Sequence, residues 1–205
     1  MTRPLSLAAL LPRPALMLAR GMALLLVGWL LLAPLARAEG VSLSHFSTER
    51  AEDGLLLSFS TRFELPKPVE EALSKGVPIY FQAEVSVFRN RWYWRDLRVA
   101  KQTRNWRLSY QPLTHQYRVS TGGLNQNFET LSEAVAAVRG ASQWRLAEAR
   151  ELEDDGRYYL EFSYKLDTSQ LPRPMQIGLG APQGWALSVE RNQGLNADFS
   201  LKTQP

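Results

Sequence analysis

Apolar and polar residues alternate along most of this chain with a period of two. From Leu55 to Leu65 the odd positions are Leu55, Leu57, Phe59, Thr61, Phe63 and Leu65, and Ser58, Ser60, Arg62 and Glu64 fall between them. Ile79, Phe81, Ala83, Val85 and Val87 form a second such face, opposed by Gln82, Glu84 and Ser86. Arg104, Trp106, Leu108 and Tyr110 alternate with Asn105, Arg107 and Ser109, and Leu113, His115, Tyr117 and Val119 with Thr114, Gln116, Arg118 and Ser120. Tyr158, Leu160, Phe162, Tyr164 and Leu166 repeat the pattern near the end. Shorter strands are expected at Val41–Phe46, Trp144–Leu152, Met175–Leu179, Trp185–Val189 and Ala197–Leu201. A strand with one apolar and one wet face belongs to antiparallel sheets packed against each other.

Two segments leave this period. Pro68 to Lys75 predicts a short helix, with proline near its start and Gly76 past its end. Phe128, Leu131, Val135 and Val138 lie at helical spacing, Thr130 and Glu133 suit a capping box, and Gly140 supplies a stop. Between the strands, Gly122-Gly123 predicts a tight turn into that second helix, with a positive φ at one of the two glycines. The fold class is mainly β: an antiparallel β-sandwich, or a sandwich partly closed into a barrel, with two short connecting helices.

An internal echo joins two of the strands. Asp53-Gly54 precedes Leu57 to Glu64 and Leu65-Pro66-Lys67-Pro68 follows; Asp155-Gly156 precedes Leu160 to Asp167 and Leu171-Pro172-Arg173-Pro174 follows. Two accounts fit it, a duplicated half-sandwich and the ordinary recurrence of Asp-Gly turns before alternating strands.

The first 38 residues read differently. Arg3, Arg13 and Arg20 precede an apolar run from Gly21 to Leu35, and Ala36-Arg37-Ala38 ends it with small residues at the −3 and −1 positions. This is the pattern of a secretory signal peptide cleaved before Glu39, leaving one β-sandwich domain over residues 39–205. The run of about fifteen residues falls short of the roughly twenty that cross a bilayer, which argues against an uncleaved anchor. The expected location is the periplasm.

Removing that segment changes the charge. The leader carries four of the 24 basic residues and none of the 20 acids, so the remainder is neutral and a globally basic nucleic-acid binder is not expected. Membrane contact is expected only through an uncleaved leader. The chain has no cysteine, so no disulfide and no thiol chemistry is available, and stability rests on the core.

One stretch concentrates charge and aromatics. Arg89, Arg91, Arg95, Arg98, Lys101, Arg104 and Arg107 stand against Asp96, with Trp92, Tyr93, Trp94 and Trp106 among them. If Asn90–Val99 is a strand, Arg91, Tyr93 and Arg95 share one face and Trp92 and Trp94 the other. Arginine beside an aromatic suits phosphate, carboxylate or carbohydrate. The candidate partner or ligand residues are therefore Arg89, Arg91, Tyr93, Arg95 and Arg98. The plainer alternative is a strand with tryptophans in the core and solvated arginines outside. The acidic run Glu148 to Asp155 could pair with this stretch, within the molecule or between copies.

Catalytic machinery is sparse. With two histidines and no cysteine, a zinc site is not expected, and Asp154-Asp155-Gly156 lacks the spacing of a calcium loop. His115 falls on an apolar parity and is expected in the core. No G-x-S-x-G elbow or phosphate-cradling loop occurs. No catalytic residue, metal or cofactor is assigned, and a carboxylate-based hydrolase would need two acids converging in a cleft.

Gly122-Gly123-Leu124-Asn125-Gln126, the following Phe128-x-x-Leu131-x-x-Ala134 and the later Leu166-Asp167-x-x-x-Leu171-Pro172-x-Pro174 resemble a family of exported proteobacterial proteins. That family is known as a domain of unknown function, sometimes labelled a proline-rich signal peptide protein. The resemblance covers nearly the whole chain after the leader. It implies a Gram-negative periplasmic protein without established catalytic residues, and a link to a nitrogen-responsive membrane sensor kinase. The sequence thus predicts a non-catalytic exported β-sandwich that binds a protein partner or envelope component. The other class is a ligand-binding module for an anionic small molecule or glycan.

Overall fold

A computed structural model describes residues 40–153, 156–171 and 185–202. Along the chain come β1 (Ser42–Ala51), β2 (Gly54–Arg62), α1 (Lys67–Ser74), β3 (Ile79–Arg89), β4 (Leu97–Gln111), β5 (Gln116–Thr121) and β6 (Leu124–Phe128). There follow α2 (Leu131–Val138), β7 (Gly140–Glu148), β8 (Tyr158–Leu166) and β9 (Ser188–Gly194). All strand pairings are antiparallel. One sheet has the order β1-β2-β7 and the other β6-β5-β4-β3-β8-β9. They pack as a β-sandwich, and neither closes into a barrel.

The period-two pattern decides which side chains meet. Leu55, Leu57, Phe59 and Thr61 of β2 are buried, as are Ile79, Phe81, Ala83, Val85 and Val87 of β3. Trp106 and Leu108 of β4 and Tyr158, Leu160, Phe162, Tyr164 and Leu166 of β8 fill the same layer. Phe59 lies at the centre. Its ring is 4.9 Å from Phe162, edge to face, 6.2 Å from Tyr164, 6.4 Å from Trp106 and 6.3 Å from Trp144. Phe59 and Phe162 hold equivalent places in the internal echo, so the two echoed strands meet face to face across the sandwich.

Both helices sit where the sequence placed them, shifted by about a residue. Gly76 has φ 86° just beyond α1, and Thr130 caps α2 in a complete capping box with Glu133. Gly140 is not the stop it resembled. It opens β7, and a Cβ there would lie 2.3 Å from the Phe59 carbonyl oxygen, so close strand approach is what requires glycine. Gly122 and Gly123 both have positive φ (54° and 84°). They close the β5–β6 hairpin rather than leading into the helix.

Three other expectations are corrected. Leu113 and His115 belong to the β4–β5 turn, where Leu113 is 98% exposed and exposed His115 has φ 53°. His115 is therefore no core residue. Instead its Nδ1 lies 3.0 Å from the Tyr110 hydroxyl. Residues 197–201 form a turn closed by the Leu195–Leu201 bridge, and buried Phe199 (φ 63°) packs at a tilt with its ring centre 5.3 Å from that of Tyr158. The strand expected at Met175–Leu179 lies outside the described residues. Among those described, no helix is long and apolar enough to cross a membrane.

Truncating Phe59 to alanine removes the ring that four aromatics contact. Its expected cost is about 3–5 kcal/mol in urea unfolding, while Leu124→Ala, at a site 72% exposed, should stay within about 0.5 kcal/mol.

Candidate functional site

Strands β3 and β4 form the longest hairpin of the sandwich, and its tip carries the candidate residues. Register runs from Ile79–Leu108 to Arg89–Leu97, with a bulge between Val87 and Phe88. Residues 90–96 lie outside both strands. The expected strand over Asn90–Val99 is thus a chain reversal. Alternation does not place Arg91, Tyr93 and Arg95 on one sheet face, and the tryptophans do not enter the core. Trp92 is 92% exposed, Tyr93 66% and Trp94 74%.

The tip is held from below. The Arg91 backbone N–H donates to Asp96 Oδ1 (3.2 Å), and the Tyr159 hydroxyl donates to Asp96 Oδ2 (3.0 Å). Phe88 stacks on Tyr159 at 5.1 Å and 12°, and the Asn90 N–H donates to the Arg157 carbonyl (2.7 Å). Arg89 pairs with Glu153, so the acidic run meets the arginine stretch within the molecule at this point. That pairing, chiefly its hydrogen bond, raises the Arg89 pKa. Arg95 and Arg98 are exposed and Arg91 half-buried. Among the described residues no acid forms an ion pair with any of the three. Beside the tip lies an open depression of about 630 Å³, lined by Arg89, Asn90, Arg91, Trp92, Tyr93, Glu153, Gly156 and Arg157.

The rest of the basic stretch is dispersed. Lys101 pairs with Glu84 at 2.9 Å. Arg104 turns inward, its guanidinium 5.1 Å from the centre of the Trp144 ring, and desolvation lowers its pKa. Arg107 lies exposed on the outer sheet face. The depression thus brings Arg89, Arg91 and Tyr93 together, Arg95 and Arg98 stand exposed in and just beyond the reversal, and the other three cations lie away from it.

Sequence reasoning missed Asp96, Phe88 and Tyr159, which hold the tip in place, and missed that Trp92 and Trp94 face water. Two signals were available. Trp92-Tyr93-Trp94 breaks the alternation, and a hairpin joining 79–87 to 104–110 must reverse near its midpoint.

Elsewhere, Glu84, Glu161 and Glu190 line a shallow groove of about 510 Å³ on the outer face of the six-stranded sheet. Glu161 and Glu190 are exposed and Glu84 faces Lys101. Among the described residues no three His, Asp or Glu gather to hold a metal.

Burial, with help from the Asp96 hydrogen bond, pushes the Tyr159 phenol up to about 12 from 10.0. The folded protein therefore holds this proton more tightly than the unfolded chain. The associated stability is present below pH 10 and lost as pH rises towards 12. Asp96→Ala should lower the Tyr159 titration midpoint, read by alkaline ultraviolet absorbance. It should also quicken amide exchange at Arg91 by about three- to tenfold without unfolding the sandwich.

Neither a curated protein nor a solved structure matches this chain. A family model does, over residues 38–193, which takes in all nine strands up to Gln193 and the hairpin tip. The chain belongs to the family described as a domain of unknown function, DUF4390.

Proposed function

We propose that this is an exported, non-catalytic β-sandwich of the periplasm that binds a protein partner or envelope component through the β3–β4 tip. The observation that carries the reading is the exposure of Trp92, Tyr93 and Trp94 beside Arg91 and Arg95. Tryptophan, tyrosine and arginine are the residues that dominate binding energy where proteins meet. Leaving three contiguous aromatics in water gives up apolar burial that the core could have used. The hydrogen bonds of Asp96 hold the backbone beneath them, which reduces the ordering cost of contact. The export reading rests on the leader pattern, and the non-catalytic reading on the sparse catalytic motifs of the sequence.

The depression beside the tip favours a second reading, an anionic small molecule or glycan held by Arg91 and Arg157 against Trp92 or Tyr93. In-cell cross-linking of a tagged full-length chain, followed by mass spectrometry, separates the two. Wild type should trap a defined protein, with the outward-facing domain of a membrane sensor kinase the first to look for. An Arg91→Glu/Arg95→Glu variant that folds normally should lose at least about tenfold of that yield. Equal capture by both proteins would remove the tip from the account. Absence of any protein partner would leave a non-protein envelope component or the small ligand.

A further inference from the structure

We propose that the β3–β4 tip docks in the interfacial layer of an anionic phospholipid bilayer, Trp92, Tyr93 and Trp94 entering at headgroup depth while Arg91, Arg95 and Arg98 meet lipid phosphates. This rests on the tip being the binding element, as argued above, and names its partner. It also gives the protein a route to the membrane other than its leader.

Three observations point to a bilayer rather than to a protein surface. The first is side-chain chemistry. Indole and phenol rings pair an apolar body with a polar N–H or O–H, and they concentrate where membrane meets water. Trp92 and Trp94, which flank Tyr93 on either side, are 92% and 74% exposed, Tyr93 itself is 66% exposed, and Leu97 adds 39%. The second is charge. Four arginines and one acid lie between Arg89 and Arg98. Arg89 is taken by Glu153, and Asp96 is turned to the Arg91 N–H and the Tyr159 hydroxyl. Among the described residues, the other three guanidiniums have no carboxylate partner, so they remain available to phosphate.

The third is shape and size. The tip is a seven-residue reversal, residues 90–96, at the far end of an eleven-residue strand. A specific protein interface takes roughly 20–30 residues a side, whereas a bilayer receives a projecting point without a matching surface around it. α1 lies at the opposite end of β3, about 35 Å away at the rise of an extended strand. The two ends of the sandwich therefore differ in chemistry, and among the described residues the largely exposed aromatic rings, Trp92, Tyr93 and Trp94, all stand at this one.

The absence of cysteine allows a test that reads the tip alone. Asn90→Cys, exposed in the reversal but outside the aromatics and arginines the proposal uses, places a single thiol at the tip for a polarity-sensitive fluorophore. Thr114→Cys, in the exposed β4–β5 turn at the other end of β4, is the control. Each labelled full-length protein is titrated with vesicles of phosphatidylethanolamine and phosphatidylglycerol, and with phosphatidylcholine vesicles. The tip label should brighten and shift to the blue with the anionic vesicles and much less with the neutral ones. The label at position 114 should not respond. Adding Arg91→Glu/Arg95→Glu should raise the lipid needed for half the signal by at least about tenfold, and about 0.5 M salt should weaken wild-type binding. Replacing Trp92 and Trp94 by serine should do the same without the salt dependence changing. An unchanged tip label at excess anionic lipid overturns the proposal, as does an equal response at position 114. If the tip label stays silent while charge reversal still abolishes a protein cross-link, the binding-module reading stands and only the bilayer is wrong. Silence in both experiments removes both.

Discussion

The contact between Phe59 of β2 and Phe162 of β8, 4.9 Å between ring centres, is the point on which the two sheets turn. No disulfide joins them, because the chain has no cysteine. Association therefore depends on rings from both inner faces interdigitating, which places Trp106, Trp144 and Tyr164 around the same phenylalanine. Tyr164 brings a hydroxyl into this layer and hands it to the Val138 carbonyl at 2.8 Å. Thr61, buried on the same face, donates to the Arg139 carbonyl at 2.7 Å. Those bonds tie the end of α2 to the core, so the polar atoms that burial would otherwise strand are satisfied.

A core closed in this way frees the ends of the sandwich for other uses. At the end where β3 finishes, Phe199 plugs the opening against Tyr158 and its carbonyl accepts from the Thr48 hydroxyl at 2.6 Å. The β3–β4 tip projects from that same end, on a base made by Phe88, Tyr159 and Asp96. The tip's aromatics are consequently surplus to folding. Their solvent exposure is a cost the fold does not require, and it is the feature on which the proposed binding role rests.

Alternation made the central strands legible because burial on one face is a local rule that each residue either obeys or breaks. β2, β3, the latter half of β4 and β8 obey it, and the capping box at Thr130 marked α2. The same rule failed where a pattern runs on through a turn. Leu113 and His115 keep the parity of Tyr117 and Val119 while standing in the β4–β5 turn, so periodicity alone extended the strand by three residues. At the tip the signal was the opposite, three consecutive aromatics that no single strand face can bury. The strand geometry that would set Arg91, Tyr93 and Arg95 on one face does not form, and all three instead fall within the seven-residue reversal. Asp96, Phe88 and Tyr159 were invisible as a group because their contacts join β8 to a loop more than sixty residues earlier. Gly140 was read as a helix stop because its true constraint, the Phe59 carbonyl, lies on another strand.

The account turns on one division among the aromatics, those that build the core and those left in water at the β3–β4 tip. Hydroxyl-radical footprinting with residue-level mass spectrometry measures it in solution. The structure predicts heavy oxidation at Trp92, Tyr93 and Trp94 and protection at Trp106, Trp144 and Trp185, which are 3%, 6% and 3% exposed. Protection of Trp92 and Trp94 in the free protein would contradict it, since the tip would then be part of the core or covered by the chain itself.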